Sequence, residues 1–281
     1  MEQTYTLGGD LRIHRLGFGA MRITGDGVWG PPRDEAESLR VLRRAVDLGV
    51  DFIDTADSYG PYVSEELIAK ALHPYPSGLA IATKAGLMRD GPNKWRPNGR
   101  PEHLVERCKG SLRRLRVDRI DLFQLHRFDP DVPAAEFLGQ LAELQEQGYV
   151  RHLGLSEVSV EQIEEAQRHF EVVSVQNKYN VTERQWEDEL QWCRERGIGF
   201  IPWYPLGAGS VEHAGLAAVA KRHGRSVYQV AIAWLLHHAD NLLPIPGTSS
   251  VRHLEENWTA REIALDEEDL AELNAGVEEA A

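Results

Sequence analysis

The chain has 281 residues, 42% of them hydrophobic, and its 44 acidic and 31 basic residues give a net charge of −13. This length fits one α/β barrel of about 250 residues or two ordinary domains. Such an acidic chain is a poor partner for a phosphate backbone, so we expect no nucleic-acid partner. No run approaches the ~20 apolar residues of a membrane span and the N-terminus is polar, so we expect no membrane partner, no signal peptide and a cytoplasmic location.

A β-hairpin is predicted first, over Tyr5–Ile13, with Gly8 and Gly9 supplying the positive φ of a tight turn. From Leu16 onward, short apolar runs alternate with amphipathic helical patterns, which is typical of βα units around a parallel sheet. The eight predicted strands are Leu16–Ala20, Val50–Asp54, Leu79–Thr83, Ile120–Leu125, Val150–Leu155, Val172–Gln176, Ile198–Trp203 and Asn241–Ile245.

A helical pattern follows each predicted strand. Between Glu102 and Leu115, apolar residues recur at steps of three and four, which places one apolar stripe against a sheet. Gly224 is expected to end a helix and Ser226 to begin the next, while Asp266 caps the last one. No linker divides the chain, so we predict a single α/β domain over residues 1–281, a (β/α)8 TIM barrel preceded by a hairpin.

Two connections, Ala85–Arg100 and Pro205–His213, are longer than a βα loop requires. Long loops in a compact barrel are usually functional. The two cysteines, Cys108 and Cys193, fall in helical patterns and are too few for a disulfide framework. We expect buried free thiols, because a catalytic thiol needs an exposed setting and a neighbouring base.

Polar residues stand where the predicted strands end, which is where TIM barrels carry their chemistry. The strand-end residues are Asp54, Lys84, His126, Ser156, Gln176 and Trp203. One acid before small polar residues usually caps a turn or helix. An acid, a lysine and a histidine on consecutive strand ends instead indicate a functional site on the rim of the barrel.

Other α/β chemistries lack their residues here. A dinucleotide fold needs G-x-G-x-x-G after its first strand, and the sequence after Gly17 and Gly19 does not complete it. Of the histidines considered, only His126 lies on the rim, while His237 and His238 fall in a helix, so no metal is predicted. A glycosidase needs two carboxyl groups, and the strand ends offer one.

The remaining groups suit proton donation to a carbonyl. Tyr59 is the candidate acid, and its phenol, with an ordinary pKa of ~10, would need a cation such as Lys84 to favour its anion. Asp54 would hold Lys84 in place. His126 could donate a hydrogen bond to the carbonyl oxygen, and the hydride would require a nicotinamide cofactor.

Seven motifs carry a resemblance to a known family. They are DFIDTADSYG at 51–60, ATK ending at Lys84, IDLFQLH ending at His126, GLSEVS from Gly154, VQNKYN from Val175, FIPWYPLGAG from Phe200 and PIPGTSS from Pro244. With them, the chain resembles the aldo-keto reductases from Leu16 to about Asn274. The resemblance implies that Asp54, Tyr59, Lys84 and His126 form the catalytic tetrad.

The resemblance also implies NADP(H) as cofactor. Ser156 and Gln176 would hold the nicotinamide carboxamide and Trp203 would stack on the ring. The loop from Leu206 through Ser210 would wrap the pyrophosphate with backbone N–H groups. Glu157 stands where many relatives have Asn, so that amide contact is lost or replaced. The predicted cofactor contacts also include Gly19, Met21, Asp54 and Gly207.

The segment Gly247–Asn257 resembles the family's clamp on the adenosine 2′-phosphate at a helix start. Its candidate ligands are Gly247, Ser249, Ser250, Arg252, His253 and Asn257. Some relatives have Lys at the position of Gly247 and Arg at that of His253, and Arg252 would compensate for this charge. The alternative is that Ser250 only caps the helix and Arg252 is solvated.

The predicted substrate-binding residues are loop residues that would form an apolar wall: Trp29, Met88, Trp95 and Phe128, with Met21 beside them. The prediction is an NADPH-dependent reductase of small aldehydes or ketones, monomeric or weakly oligomeric, with Tyr59 as general acid. The alternative is an NADPH-binding sensor or regulatory subunit with little turnover, since some family members serve ion channels.

Overall fold

Alternating strands and helices build a curled parallel sheet in the computed structural model, which describes residues 3–207 and 214–275. The strands are β1 (Thr4–Leu7), β2 (Leu11–His14), β3 (Phe18–Gly19), β4 (Phe52–Asp54), β5 (Ala80–Ala85), β6 (Leu87–Gly91), β7 (Lys94–Pro97), β8 (Ile120–Leu125), β9 (Val150–Ser156), β10 (Val172–Gln176) and β11 (Gly199–Phe200). Seven of them form the parallel sheet, in the order β3-β4-β5-β8-β9-β10-β11.

In the described part of the chain, six α-helices alternate with the strands of the parallel sheet, and four more follow β11. They are α1 (Glu35–Asp47), α2 (Val63–Leu72), α3 (Pro101–Leu115), α4 (Ala134–Glu146), α5 (Val160–Ala166), α6 (Glu187–Glu195), α7 (Ala214–His223), α8 (Val227–His238), α9 (Val251–Thr259) and α10 (Glu267–Asn274). The predicted caps are confirmed, since Ser226 accepts from the backbone of Gln229 and Asp266 from that of Asp269. No helix within the described ranges is long and apolar enough to cross a bilayer.

The segment 241–245 closes the barrel without forming a regular strand. On one side the N–H of Phe200 donates to the carbonyl of Asn241 at 2.8 Å, and on the other the N–H of Gly17 donates to the carbonyl of Pro244 at 2.9 Å. Because Pro244 has no N–H, a continuous hydrogen-bond ladder cannot form there. The predicted barrel is confirmed, but its eighth strand is an irregular connection.

The predicted N-terminal hairpin closes the bottom of the barrel. Leu7, Leu11 and Ile13 belong to the same apolar cluster as Phe52 and Leu122 of the sheet. The hairpin turn is tied to the start of β9, where Arg151 and His152 contact Asp10. The opposite end of the barrel, where the parallel strands finish, is therefore the end that is open to ligands.

Both cysteines are buried free thiols, as predicted. Burial raises the pKa of Cys108 and of Cys193 to about 12. The predicted long loop Ala85–Arg100 is a β-hairpin made of β6 and β7 rather than an irregular connection. Of the other long loop, residues 208–213 lie outside the described ranges.

The barrel seam is the place where β3 meets the segment 241–245. A close approach of two backbones at this seam gives a first prediction. A Cβ at Gly19 would lie 2.5 Å from the carbonyl oxygen of Ile245. Gly19→Ala should therefore lower the free energy of unfolding by about 1–3 kcal/mol, measured by urea denaturation. Gly139→Ala is the control: nothing lies within 4 Å of the added Cβ in α4, so it should stabilise by about 0.5–1 kcal/mol. Equal stability of the Gly19→Ala and wild-type proteins would contradict the close approach.

Candidate active site

The four predicted tetrad residues meet at the C-terminal ends of the strands. Asp54 ends β4, Lys84 lies near the end of β5 and His126 directly follows β8, while Tyr59 stands on the loop after β4. Asp54, Tyr59 and His126 line one cavity of about 1020 Å³. This volume is at the upper end of the range for small-molecule sites, about 300–1,000 Å³.

Lys84 lies beneath this cavity and is fully buried. Its Nζ donates to both carboxylate oxygens of Asp54, at 2.7 and 2.9 Å, and to the carbonyl of Thr55 at 2.8 Å. Burial alone would lower the pKa of Lys84, but the carboxylate of Asp54 outweighs it and the pKa lies above its usual value. The ammonium group is therefore charged and fixed in position.

Asp54 also anchors two amides from other strands. Its Oδ1 accepts from Nε2 of Gln124 at 3.2 Å and from Nε2 of Gln176 at 2.9 Å. These bonds add to the Lys84 pair, so one carboxylate joins β4, β5, β8 and β10. A buried carboxylate requires that its oxygens be fully hydrogen-bonded, since the loss of any partner leaves the charge poorly solvated.

Tyr59 lies between this charge network and the cavity. Lys84 Nζ is 5.3 Å from its ring centroid, and the ring packs edge-on against His126 at 6.0 Å and Trp95 at 6.4 Å. Burial raises the pKa of the Tyr59 phenol, while the charge and hydrogen bond of Lys84 act in the opposite direction. Lys84 thus offsets only part of the effect of burial, and Tyr59 is a protonated phenol at neutral pH.

His126 is neutral. Burial, followed by the charges of Lys84, Arg127 and Arg89, holds its pKa well below the usual 6.5. Its Nδ1 lies 3.3 Å from the hydroxyl of Ser58. If that hydroxyl donates to Nδ1, the ring proton is on Nε2 and can be donated to a ligand.

Ser156 ends β9, Gln176 ends β10 and Trp203 follows β11, and all three line the cavity. Ser156 Oγ accepts from Arg127 at 3.0 Å. Glu157 does not line the cavity. Its Oε1 accepts from the indole N–H of Trp203 at 2.6 Å, so the residue that departs from the family's Asn fixes the aromatic ring.

The cavity continues toward the start of α9 as a groove. The predicted cofactor contacts that line it are Gly19, Met21, Asp54, Leu206, Gly247, Ser249, Arg252, His253 and Asn257. Ser250 does not line it and is instead the N-cap residue of α9, without a side-chain cap bond. Gly207 is not among the lining residues and is the last described residue before 208–213, so the predicted pyrophosphate contacts from 208 to Ser210 lie outside the described ranges.

A carboxylate already occupies part of the start of α9. The N–H of Val251 donates to Oε1 of Glu37 at 3.1 Å, and Glu37 pairs with Arg40 at 2.6 Å. The backbone of this helix start is therefore less available to a phosphate than the resemblance implies. The basic side chains that line the groove here are Arg252, His253 and Arg22, and the guanidinium of Arg252 donates to Nε2 of His253 at 3.0 Å.

Of the four predicted substrate-wall residues, Trp95 lines the cavity, whereas Trp29, Met88 and Phe128 do not. Phe128 packs edge-on against Phe137 at 5.0 Å, and Trp29 is 38% exposed. The thioether of Met88 accepts a hydrogen bond within the β6–β7 region. Adjacent residues of a strand point to opposite faces, and Leu87 rather than Met88 lines the cavity.

The sequence prediction missed several lining residues: Arg22, Leu87, Pro97, Arg127, Tyr204, Pro205, Ser226, Tyr228, Ile245, Thr248 and Glu256. Arg127 could have been identified because it directly follows His126 at a strand end. Ser226 and Tyr228 had no such signal, since they come from the start of α8.

Arg89 ties the β6–β7 hairpin to the loop 55–62, which carries Tyr59. Its Nη1 donates to the carbonyls of Val28 at 2.6 Å and Ser58 at 2.8 Å, and its Nη2 to that of Gly27 at 2.9 Å. The guanidinium also lies 3.6 Å from the ring centroid of Trp95. This one side chain therefore positions both the cavity wall and the residue before Tyr59.

Comparison with known proteins gives consistent matches. A sequence model of the Aldo/keto reductase family matches residues 15–278. An uncharacterized oxidoreductase of Schizosaccharomyces pombe is 50% identical over 268 residues, covering 95% of this chain and 87% of the relative. Pyridoxine 4-dehydrogenase of Escherichia coli is 42% identical over 278 residues, covering 96% of this chain and 97% of the relative.

A solved structure agrees with these relatives. The crystal structure of an aldo/keto reductase from Klebsiella pneumoniae, in complex with NADP and acetate, superimposes with a TM-score of 0.83 at 25% identity. The match covers 98% of this chain and 95% of that one. The prediction of NADP(H) as cofactor agrees with this complex.

Asp57 is a second acid close to Asp54, on the loop that carries Tyr59. It is 2% exposed, and its Oδ1 has no hydrogen-bond partner among the described residues. Burial and the charge of Glu65 raise its pKa to about 8, although Arg107 lies 3.9 Å from its other oxygen. Its ionised form is thus poorly stabilised in the folded protein.

This raised pKa predicts a pH-dependent stability. Because the pKa of Asp57 is about 8 in the folded chain and ~3.9 when unfolded, its contribution is fully present below about pH 4 and is lost as the pH rises to about 8. Asp57→Asn should reduce the fall in unfolding free energy between about pH 5 and pH 8, measured with urea. Asp118→Asn, at an exposed site, should keep the wild-type slope. Identical slopes for Asp57→Asn and wild type would contradict the assignment.

Proposed function

The chain belongs to the aldo-keto reductase family, and we propose that it reduces aldehydes or ketones to alcohols with NADPH, with Tyr59 as the general acid. The predicted family and the oxidoreductase class are confirmed. The observation that carries the proposal is the buried Lys84–Asp54 pair beneath Tyr59, with neutral His126 facing the same cavity.

The mechanism follows from the protonation states. A bound nicotinamide would supply the hydride that carbonyl reduction requires. Tyr59 holds its proton at neutral pH and donates it to the carbonyl oxygen, while the charge of Lys84 stabilises the phenolate that forms. Asp54 keeps that charge in position. His126, being neutral, polarises the carbonyl by hydrogen bonding rather than by acid catalysis.

The donors and acceptors on the β9–β10 side fit a carboxamide. The Nε2 of Gln176 is engaged by Asp54, which leaves its Oε1 as an acceptor for an amide N–H. The hydroxyl oxygen of Ser156 accepts from Arg127, which leaves its proton for an amide carbonyl. Trp203, fixed by Glu157, supplies an aromatic face for the ring.

The groove at α9 supports a preference for the phosphorylated cofactor. Arg252 and His253 line it beside each other, with Nη2 and Nε2 3.0 Å apart. Arg22 adds a third nitrogen-rich side chain from the other side of the seam. Since Glu37 engages one backbone N–H of the helix start, these side chains would provide most of the 2′-phosphate recognition.

The first test removes the acid. Tyr59→Phe should lower kcat for a reactive aldehyde by about 10²–10⁴-fold, because the proton donor is lost while the ring remains. Steady-state NADPH oxidation measures this. Tyr149→Phe is the matched control, and its kcat should stay at the wild-type value. A wild-type kcat in Tyr59→Phe would exclude this acid, and NADPH binding without multiple turnover by the wild type would favour a sensor instead.

The second test concerns cofactor choice. Arg252→Gln should raise the Kd for NADPH by about 5–10-fold and change that for NADH by less than about twofold, because only NADPH carries the 2′-phosphate. Fluorescence titration measures both constants. Arg168→Gln removes an exposed arginine on another surface and should change neither. Equal wild-type affinities for NADPH and NADH would rule out the phosphate clamp.

A further inference from the structure

Arg127 brings a guanidinium group into the cavity directly after His126. Its Nη1 donates to the carbonyl of His126 at 2.6 Å and to Ser156 Oγ at 3.0 Å, which fixes one edge of the group. Its Nε and Nη2 have no hydrogen-bond partner within residues 3–207 and 214–275. The N–H groups of Nε and Nη2 point the same way, so they form a free two-donor edge.

No acid pairs with this arginine among the described residues. Glu157 is the acid that acts on its pKa, but Oε1 of Glu157 already accepts from Trp203 and from the backbone of Lys178. Asp54 is paired with Lys84. Burial lowers the pKa of Arg127, yet a guanidinium stays charged in proteins. The cavity thus carries a positive charge that an anionic ligand would balance.

The charge of Arg127 also reaches the reacting groups, since it lowers the pKa of both Tyr59 and His126. A planar fork of two N–H donors matches the two oxygens of a carboxylate. We propose that Arg127 binds a carboxylate on the substrate, so that aldehydes bearing this group are preferred over neutral ones. The proposal rests on the carbonyl reduction proposed above and names the substrate class for that site.

Two substrates of nearly equal size test it: a benzaldehyde that carries a para-carboxylate, and the methyl ester of that acid. Their kcat/KM values are compared in the wild-type holoenzyme, Arg127→Met and Arg127→Lys. Arg127→Met should lower the acid-to-ester ratio by about 10–100-fold, because a charge-assisted pair is lost. Arg127→Lys should give an intermediate ratio, since it keeps the charge without the fork. Arg96→Met, which removes an exposed arginine of β7, should leave the ratio unchanged.

An acid-to-ester ratio that is the same in Arg127→Met and wild type would overturn the proposal. That result, with kcat falling equally for both substrates, would mean that Arg127 only positions Ser156. Turnover of the ester measures carbonyl reduction separately. If neither substrate reacted, the proposed function would fail, and calorimetric titration of the NADP⁺ complex with benzoate and benzamide would still test Arg127. Tighter binding of benzoate than of benzamide in the wild type, but not in Arg127→Met, would support the anion site. Equal binding of the two ligands by the wild type would refute it.

Discussion

The buried ion pair between Lys84 and Asp54 is the interaction on which the other features of the site depend. Two charges removed from water are tolerated only when their remaining hydrogen-bonding capacity is filled, and deleting one partner typically costs about 3–5 kcal/mol. Gln124 and Gln176 fill that capacity from two further strands. The pair therefore fixes the relative positions of the strands and, through them, the cation next to Tyr59.

The strand-end residues could be predicted because parallel strands finish on one rim, so Asp54, Lys84 and His126 had to converge once the barrel was assumed. The sequence could not show that burial outweighs Lys84 at the Tyr59 phenol, since that balance depends on how closely the walls pack. The apolar pattern of 241–245 predicted a regular eighth strand, but Pro244 interrupts the hydrogen bonding that such a strand would need.

Residues far along the chain or on hairpins were harder to place. Tyr228 reaches the cavity from a helix start, a position that no local pattern links to the rim. Met88 was predicted to line the cavity, but Leu87 does so, because the loop pattern did not indicate the β6–β7 hairpin and the alternation of its side chains. The net charge of the chain did not predict the charge of the cavity. The chain is strongly acidic, yet Arg127 brings a positive charge into the cavity, since the local field depends on where charges lie rather than on their total.

The seam of the barrel has a consequence for how the protein is made. The N–H of Gly17 donates to the carbonyl of Pro244, so the first part of the barrel is joined to the segment 241–245 only after that segment has been synthesised. A sheet that lacked this segment would have two unpaired edges, and such edges tend to pair with other chains. The groove spans this seam, with Gly19 on one side and Gly247 on the other. A ligand that bound only to this joined groove would stabilise the closed barrel relative to the open sheet. It would therefore contribute to folding as well as to the reaction.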